Sequence, residues 1–144
     1  MSAVTNSLMV PRFAKSILDD LRTAGLRPTR QRIALARLLF SQGNRHVTAE
    51  SLYQEAMATG STVSLATVYN ALHDFTNKGL LHEITIDPTR SYFDTNTTEH
   101  HHFYFEKSGR LEDIDLKQIK IETIPEAPSG ATIARVDIII RVDN

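Results

Sequence analysis

The residues best suited to chemistry in this sequence are three consecutive histidines, His100, His101 and His102, which make up half of the six histidines in the chain. Side chains of an extended strand alternate between its two faces. We therefore expect His100 and His102 to share one face and His101 to point the other way. Two imidazoles on one face could bind a single metal ion if that face turns inward.

Two carboxylates and a further imidazole could complete such a site. Asp94 ends the strand-like run before the histidines, and Asp113 lies on the next run, from which it can approach them across an antiparallel pair. His46 lies in the loop that enters the third predicted helix. Because the chain has no cysteine, nitrogen and oxygen must bind any transition metal, and such ligands suit Fe²⁺, Mn²⁺ or Zn²⁺. An ion bound by both halves of the chain would set their relative orientation.

Simpler explanations for these residues stay open at this point. A histidine run can be a solvated surface feature, and His46 can be a surface or capping residue. The two aspartates can be ordinary carboxylates at hairpin edges. We assign His73 and His82 to solvent-facing surfaces of a helix and a hairpin.

Four predicted helices occupy the first half of the chain. Apolar residues recur there at helical spacing, glycines mark the ends, and Thr29, Thr48 and Ser64 are suitable N-caps. The helices are predicted at residues 13–24, 30–41, 49–58 and 65–77, after a loose segment at residues 1–10. The last has one apolar stripe, formed by Leu65, Val68, Leu72 and Phe75.

Residues 80–86 and 90–94 then predict a hairpin that turns at Asp87 and Pro88. Helices followed directly by a hairpin have the order of a winged helix-turn-helix, with the turn at residues 59–64. In that motif the last helix enters the major groove of DNA.

The second half predicts a small sheet. The strand begun by the histidines continues through residues 103–105, a second strand covers 111–114, and the clearest strand of the chain covers 131–142, with a short helix around 116–121. Such a sheet needs a helix or a second copy to cover its apolar face, which favours a homodimer. The predicted fold class is α+β, with a winged helix-turn-helix DNA-binding domain at residues 1–94. A small α/β dimerisation and metal-sensing domain follows at residues 95–144.

Charge is distributed unevenly between these halves. Through Gly79 there are nine basic and five acidic residues, and from Leu80 onward seven basic and twelve acidic ones. A basic first half fits nucleic-acid binding, although chance partitioning of a near-neutral chain is an equally simple explanation. Apolar runs are too short to span a membrane and the N-terminus has no secretory pattern, so we expect a cytoplasmic protein.

The sequence resembles the ferric uptake regulator (Fur) superfamily over residues 13–142. The resemblance rests on the motifs GLRPTRQR at residues 25–32, HVTAE at 46–50 and SLATVY at 64–69, and on the spacing Phe93-Asp94, His100-x-His102 and Asp113. It implies a regulatory metal site, whose ligands would be His46, Asp94, His100, His102 and Asp113. Many members also bind structural zinc through a Cys-x-x-Cys pair, but residues 105–108 contain no cysteine, so no structural zinc held by four cysteines is expected.

Within that superfamily, the sequence looks most like the iron response regulator (Irr) branch of alpha-proteobacteria. The features shared with this branch are the cysteine-free sheet, the histidine triplet and the segment IPEAPSG at residues 124–130. Members of this branch are identified as sensors of haem status that bind DNA when iron is scarce. The resemblance implies that the domain at residues 95–144 senses haem, as the alternative to a metal ion at the same stretch, with His100, His101 and His102 as the first candidate ligands. It also implies a haem-delivering protein as a partner.

A double-stranded DNA operator is the expected partner of the first half. Thr67, Tyr69 and Asn70 lie on the first turns of the last predicted helix, where base edges are reached, and Tyr69 could contact thymine methyls. Family members often have a basic residue where Asn70 stands. The full set of candidate DNA-binding residues is Arg27, Arg30, Arg32, Ser64, Thr67, Tyr69 and Asn70.

The sequence therefore predicts a non-enzymatic, dimeric or higher-oligomeric regulator of iron and haem homeostasis genes. The alternative within the superfamily is a metal-corepressed repressor that responds to Fe²⁺ or Mn²⁺ rather than haem, like ferric uptake, manganese uptake or peroxide regulators. Two other classes are a metalloenzyme that uses two histidines and one carboxylate, and a winged-helix regulator that senses a small organic ligand. The enzyme hypothesis leaves the basic helical half unexplained.

Overall fold

The computed structural model describes residues 17–144 and shows an α+β fold. The predicted segment at residues 1–10 and the predicted first turn of the first helix, at residues 13–16, lie outside the described range. The chain divides into two compact units, one that ends at Thr97 and one that spans Thr98–Asn144. We describe each unit by itself.

The first unit is built on α-helices that begin at polar caps. Its described helices are α1 Ile17–Thr23, α2 Arg30–Phe40, α3 Ala49–Ala58 and α4 Leu65–Asn77. Thr29, Thr48 and Ser64 each accept a hydrogen bond from the backbone N–H three residues later, as predicted. Each bond satisfies one of the N–H groups that a helix start leaves without an intrahelical partner.

Helix α4 buries its predicted apolar stripe in the core of the first unit. Val68, Leu72 and Phe75 are fully buried, and Leu65 is partly buried against the same core. The opposite face of α4 exposes Tyr69 and Asn70. Gly79 then adopts φ = 80°, a conformation that only glycine reaches without strain, and it ends the helix at the start of the hairpin.

A three-stranded antiparallel sheet completes this unit. Its strands are β1 His46–Val47, β2 His82–Asp87 and β3 Arg90–Asp94, in the order β1-β3-β2. The hairpin β2–β3 confirms the prediction, and at its turn the Asp87 carboxylate accepts hydrogen bonds from Thr89. We had placed His46 in a loop, but it pairs with β3. A two-residue strand is too short to show an alternating pattern.

The second unit contains the predicted three-stranded sheet. Its strands are β4 His101–Phe105, β5 Leu111–Ile114 and β6 Ile139–Val142. The central strand β4 pairs antiparallel with β5 and parallel with β6. A single 3-10 turn, Leu116–Gln118, stands where a short helix was expected.

The prediction of one long strand at residues 131–142 was wrong for residues 131–138. Only Ile139–Val142 forms a strand, in a register that runs from His102 opposite Ile139 to Phe105 opposite Val142. Because β4 begins at His101, residues before Ile138 extend beyond the end of the strand that could pair with them. Within residues 17–144 no helix has the length and apolar character needed to span a bilayer.

Candidate functional site

Two histidines and an aspartate converge on one face of the second unit's sheet. The β4–β5 register places Asp113 directly opposite His102. The Oδ1 atom of Asp113 lies 3.5 Å from Nε2 of His100 and 3.4 Å from Nε2 of His102. One ligand atom from each residue lies within 4.8 Å of those of the other two. The strand geometry therefore produces the shared face and the cross-strand approach that we predicted.

The hydrogen bonding of His100 indicates which of its nitrogens is available as a ligand. Its Nδ1 lies 2.6 Å from the carbonyl oxygen of Thr98, and a carbonyl oxygen can only accept, so Nδ1 carries the proton. In a neutral imidazole the lone pair is then on Nε2, the atom that faces Asp113. A lone pair that faces a carboxylate is repelled by it unless a proton or a metal ion lies between them. This set of donors therefore fits a divalent metal ion bound by nitrogen and oxygen.

The first unit holds a second His/Asp pair. Nε2 of His46 lies 3.2 Å from Oδ2 of Asp94, a residue that is only 1% exposed. The two residues are register partners in β1 and β3. The backbone N–H of Asn96 donates to the other oxygen of Asp94, at 2.9 Å, which orients the carboxylate towards His46.

The Arg45–Thr95 bridge holds β1 and β3 in this register. The backbone N–H of Arg45 donates to Oγ1 of Thr95 at 2.8 Å, and the backbone N–H of Thr95 donates to the carbonyl of Arg45 at 3.0 Å. The Arg45 guanidinium also binds the Glu55 carboxylate and the carbonyl of Leu38. These contacts fix the residue that immediately precedes His46.

His82 was assigned to a solvent-facing surface, and that prediction was wrong because the residue is 8% exposed. It lies opposite Asp94 in the β2–β3 register, so Asp94 has a histidine across from it on each neighbouring strand. Period-two spacing could have revealed this, because His82 shares a strand face with Ile84 and Ile86, which are also buried. By contrast, His73 is exposed, as predicted.

His101 points to the other face of β4 and has a different role. Its Nδ1 accepts a hydrogen bond from the backbone N–H of Ile138 at 3.1 Å. A neutral imidazole that accepts at Nδ1 carries its proton on Nε2, so neither nitrogen is free to bind iron while this bond exists. Among the three histidines proposed for haem, His100 is chemically better suited than His101.

A cleft of about 280 Å³ lies beside His100 and His101 in the second unit. Its lining is mainly apolar, with Arg135 as its basic residue. The apolar lining residues are Leu116, Ile121, Ile124, Ile133 and Val136. All five are large hydrophobic residues with substantial exposure in a single chain.

The candidate DNA-binding residues of the first unit differ in their exposure and in their hydrogen bonds within the fold. Tyr69 is 37% exposed and Asn70 is exposed, as base reading requires. The Tyr69 hydroxyl donates to Oε2 of Glu50 at 2.7 Å, and this bond is the main cause that raises the pKa of Tyr69. The Ser64 hydroxyl caps α4 and also donates to Oγ1 of Thr67.

Among the candidate arginines, Arg32 has internal partners. Its guanidinium binds Asp74 at 3.0 Å and the carbonyl of Arg27 at 2.9 Å, which ties α2 to α4. The side chains of Arg27 and Arg30 are exposed, and Arg30 lines a shallow cleft with residues 59–63. Arg27 and Arg30 are thus more accessible to phosphates than Arg32.

Comparison with known proteins gives concordant results. The family model described as the ferric uptake regulator family matches residues 23–140. The peroxide-responsive repressor PerR of Staphylococcus epidermidis is 39% identical over 102 residues, which cover 71% of this chain and 67% of that protein. The ferric uptake regulator of Pseudomonas aeruginosa with manganese superposes with a TM-score of 0.65 at 24% identity, covering 88% of this chain and 96% of that one. The ferric uptake regulator of Vibrio cholerae superposes with a TM-score of 0.69 at 19% identity, covering 88% of this chain and 98% of that one.

Proposed function

The chain belongs to the ferric uptake regulator family, and from that premise we propose that it is a DNA-binding transcriptional regulator controlled by a divalent metal ion. The observation that carries the proposal is the approach of the His100 and His102 Nε2 atoms to one oxygen of Asp113, inside the segment that the family model matches. We also propose that the protein is cytoplasmic and is not an enzyme.

We propose that His46 and Asp94 bind the same ion as His100, His102 and Asp113. The support is chemical: the pair supplies one nitrogen and one carboxylate, the triad supplies two nitrogens and one carboxylate, and together they form a five-ligand set suited to Fe²⁺ or Mn²⁺. When bound, the ion would neutralise both carboxylates. Shared ligation would hold the two units in one arrangement, and we propose that this arrangement binds the operator. One ion per chain is the expected stoichiometry.

DNA reading is assigned to the first unit and dimerisation to the second. We propose that α4 enters the major groove as the recognition helix, that residues 59–64 form the helix-turn-helix turn, and that the β2–β3 hairpin is the wing. The exposed apolar residues around the second unit's sheet support a homodimer, because a three-stranded sheet with an uncovered apolar face is marginal alone.

For the signal, we propose metal corepression, in which Fe²⁺ or Mn²⁺ increases affinity for DNA. The 39% sequence identity to a peroxide-responsive repressor supports this direction of the response. The nitrogen and oxygen donors support Fe²⁺ or Mn²⁺ as the ion. Haem is the second candidate, as in the Irr branch. The apolar cleft beside His100 favours it, although the Arg135 guanidinium at this cleft is bonded to Asp137.

The test is DNA affinity at fixed salt, measured on operators selected by the protein from random duplexes. The operator selections are carried out separately with Mn²⁺, with anaerobic Fe²⁺ and with haem. We expect Mn²⁺ and Fe²⁺ to raise affinity and His102→Ala to abolish that response. Glu112→Gln is the matched control and should respond like the wild type, because Glu112 is next to Asp113 on β5 and its side chain therefore points to the opposite face of the sheet.

The outcomes separate the candidates. Haem-dependent release of DNA that His100→Ala removes would favour the Irr-like sensor over metal corepression. Selective DNA binding that neither metal nor haem changes would contradict both signals. Protein that selects no sequence under any condition would contradict the proposed function itself.

A further inference from the structure

The exposed face of α4 carries a tyrosine whose hydroxyl is already engaged by the preceding helix. Tyr69 donates to Oε2 of Glu50 at 2.7 Å, across 19 positions of sequence. Glu50 lies in the first turn of α3, which is held by reciprocal hydrogen bonds of 3.0 Å between Thr48 and Ser51. A carboxylate is favoured at that helix end by the helix dipole. The acceptor is thus fixed in place by a capped helix.

The ring of Tyr69 also has a neighbour on its own helix. The rings of Tyr69 and His73 lie 6.3 Å apart, and the His73 ring packs edge-on against Phe93 of β3 at 5.8 Å. Helix α3 therefore contacts the Tyr69 hydroxyl. His73, which packs against the sheet, lies beside the Tyr69 ring. An exposed tyrosine would otherwise sample several rotamers, and holding it in one reduces the entropy lost on binding.

We propose that Glu50 is a positioning residue for DNA reading, whose carboxylate anchors the Tyr69 hydroxyl so that ring carbons are presented to a thymine methyl group. This inference rests on the proposed function, because it assumes that α4 enters the major groove. The Tyr69 hydroxyl is protonated at neutral pH at its ordinary pKa of about 10 and can therefore donate to Glu50, and this hydrogen bond raises the pKa of Tyr69 further.

The negative charge of Glu50 has a second, separable consequence. A carboxylate near the DNA surface repels phosphates of any sequence, so it lowers non-specific affinity. The Glu50–Tyr69 pair therefore favours discrimination between sequences over total affinity. Charge and hydrogen bond can be separated experimentally because glutamine keeps an acceptor oxygen and loses the charge.

The experiment measures the affinity of metal-loaded full-length protein for its selected operator and for duplexes in which single thymines are replaced by uracil. That replacement removes only the C5-methyl group. In the wild type we expect a penalty for uracil at the contacted position, and Glu50→Ala should reduce that penalty by roughly two- to tenfold, the range of one hydrogen bond. Tyr69→Phe should do the same, and the double variant should lose no more than either single one.

Glu50→Gln and Gln54→Ala complete the design. Glu50→Gln should retain the uracil penalty while its affinity for random duplex rises, as it should also rise in Glu50→Ala. Gln54→Ala, an exposed change on the same helix, should match the wild type in both measurements. The thermal midpoint of every variant is recorded, because a folding defect would lower affinity for all duplexes without changing their ratio.

The results discriminate between this inference and the function on which it rests. A wild-type uracil penalty that Glu50→Ala and Tyr69→Phe leave unchanged would overturn the inference and leave the proposed function standing. A glutamine variant that behaves like alanine in the uracil test would also overturn it, because the hydrogen bond would then not be the cause. A wild-type protein that selects no sequence would overturn the proposed function and this inference together.

Discussion

Replacing His102 with alanine should abolish the stabilisation of this protein by a divalent metal ion. Nε2 of His102 lies 3.4 Å from Oδ1 of Asp113, and its side chain is 6% exposed. Its ring centroid is 4.5 Å from that of His100. Alanine therefore removes a buried imidazole donor from the triad.

The magnitude follows from mass action. Mn²⁺ at 100 times its Kd should stabilise the folded wild type by about 2.7 kcal/mol. For a chain of 144 residues, where about 1 kcal/mol shifts Tm by roughly 2–4 °C, that corresponds to a rise of about 5–10 °C. Changes that only reorient a metal ligand already weaken metal affinity by about 10- to 100-fold, so loss of the ligand itself should cost at least 100-fold. At the same Mn²⁺ concentration the variant should then gain less than about 2 °C.

Thermal unfolding followed by circular dichroism, with and without Mn²⁺, is the appropriate assay. The metal-induced change is compared within each variant, because loss of a buried imidazole also alters the metal-free midpoint. His101→Ala is the stringent control: it should lower the metal-free Tm through loss of the Ile138 hydrogen bond and keep the full metal-induced rise. A His102→Ala protein that retains a rise of about 5–10 °C, with unchanged Mn²⁺ affinity, would refute the assignment of His102 as a ligand.

Three further predictions concern the first unit. Arg32→Ala should lower the free energy of unfolding by about 1 kcal/mol, because its guanidinium bonds Asp74 between α2 and α4. Arg30→Ala should leave the free energy of unfolding, measured in denaturant, unchanged. It should also reduce the salt dependence of DNA affinity by the amount of about one phosphate contact. Equal destabilisation by Arg32→Ala and Arg30→Ala would contradict these expectations. Hydrogen bonds to the Asp87 carboxylate, chiefly from Arg90, hold its pKa below the ordinary value, so its contribution to turn stability is complete above that value and is lost as pH falls towards the depressed pKa. NMR titration of the turn amides should show this loss in the wild type and not in Asp87→Asn.

Much of the helical architecture was predictable because it depends on neighbouring residues. Thr29, Thr48 and Ser64 cap their helices through bonds to residues only three positions away. The apolar stripe of α4 likewise follows from spacing within 13 residues. The approach of His102 and Asp113 was predictable for a related reason, since a short hairpin restricts the register of its two strands.

The errors have other physical origins. Residues 131–138 have the composition of a strand, but a strand needs a partner, and β4 does not extend far enough to pair with them. His46 joined a sheet because Arg45 and Thr95 bridge 50 positions of sequence. His82 was misassigned because its alternation with Ile84 and Ile86, which places it on the buried face of β2, outweighs the usual exposure of a polar side chain in a hairpin.

The sequence by itself determined the chemistry available to this protein: nitrogen and oxygen ligands without cysteine thiolates, capped amphipathic helices, a hairpin and a family motif. Tertiary structure decided which groups distant in the sequence meet and which ring nitrogen of His101 carries the proton. It turned Nδ1 of His101 towards a backbone N–H, committed Arg32 to Asp74, and joined the Tyr69 hydroxyl to Glu50. Local patterns follow from steric and hydrogen-bonding preferences within a few residues, whereas these contacts depend on how distant segments pack, and that depends on the free energy of the whole chain.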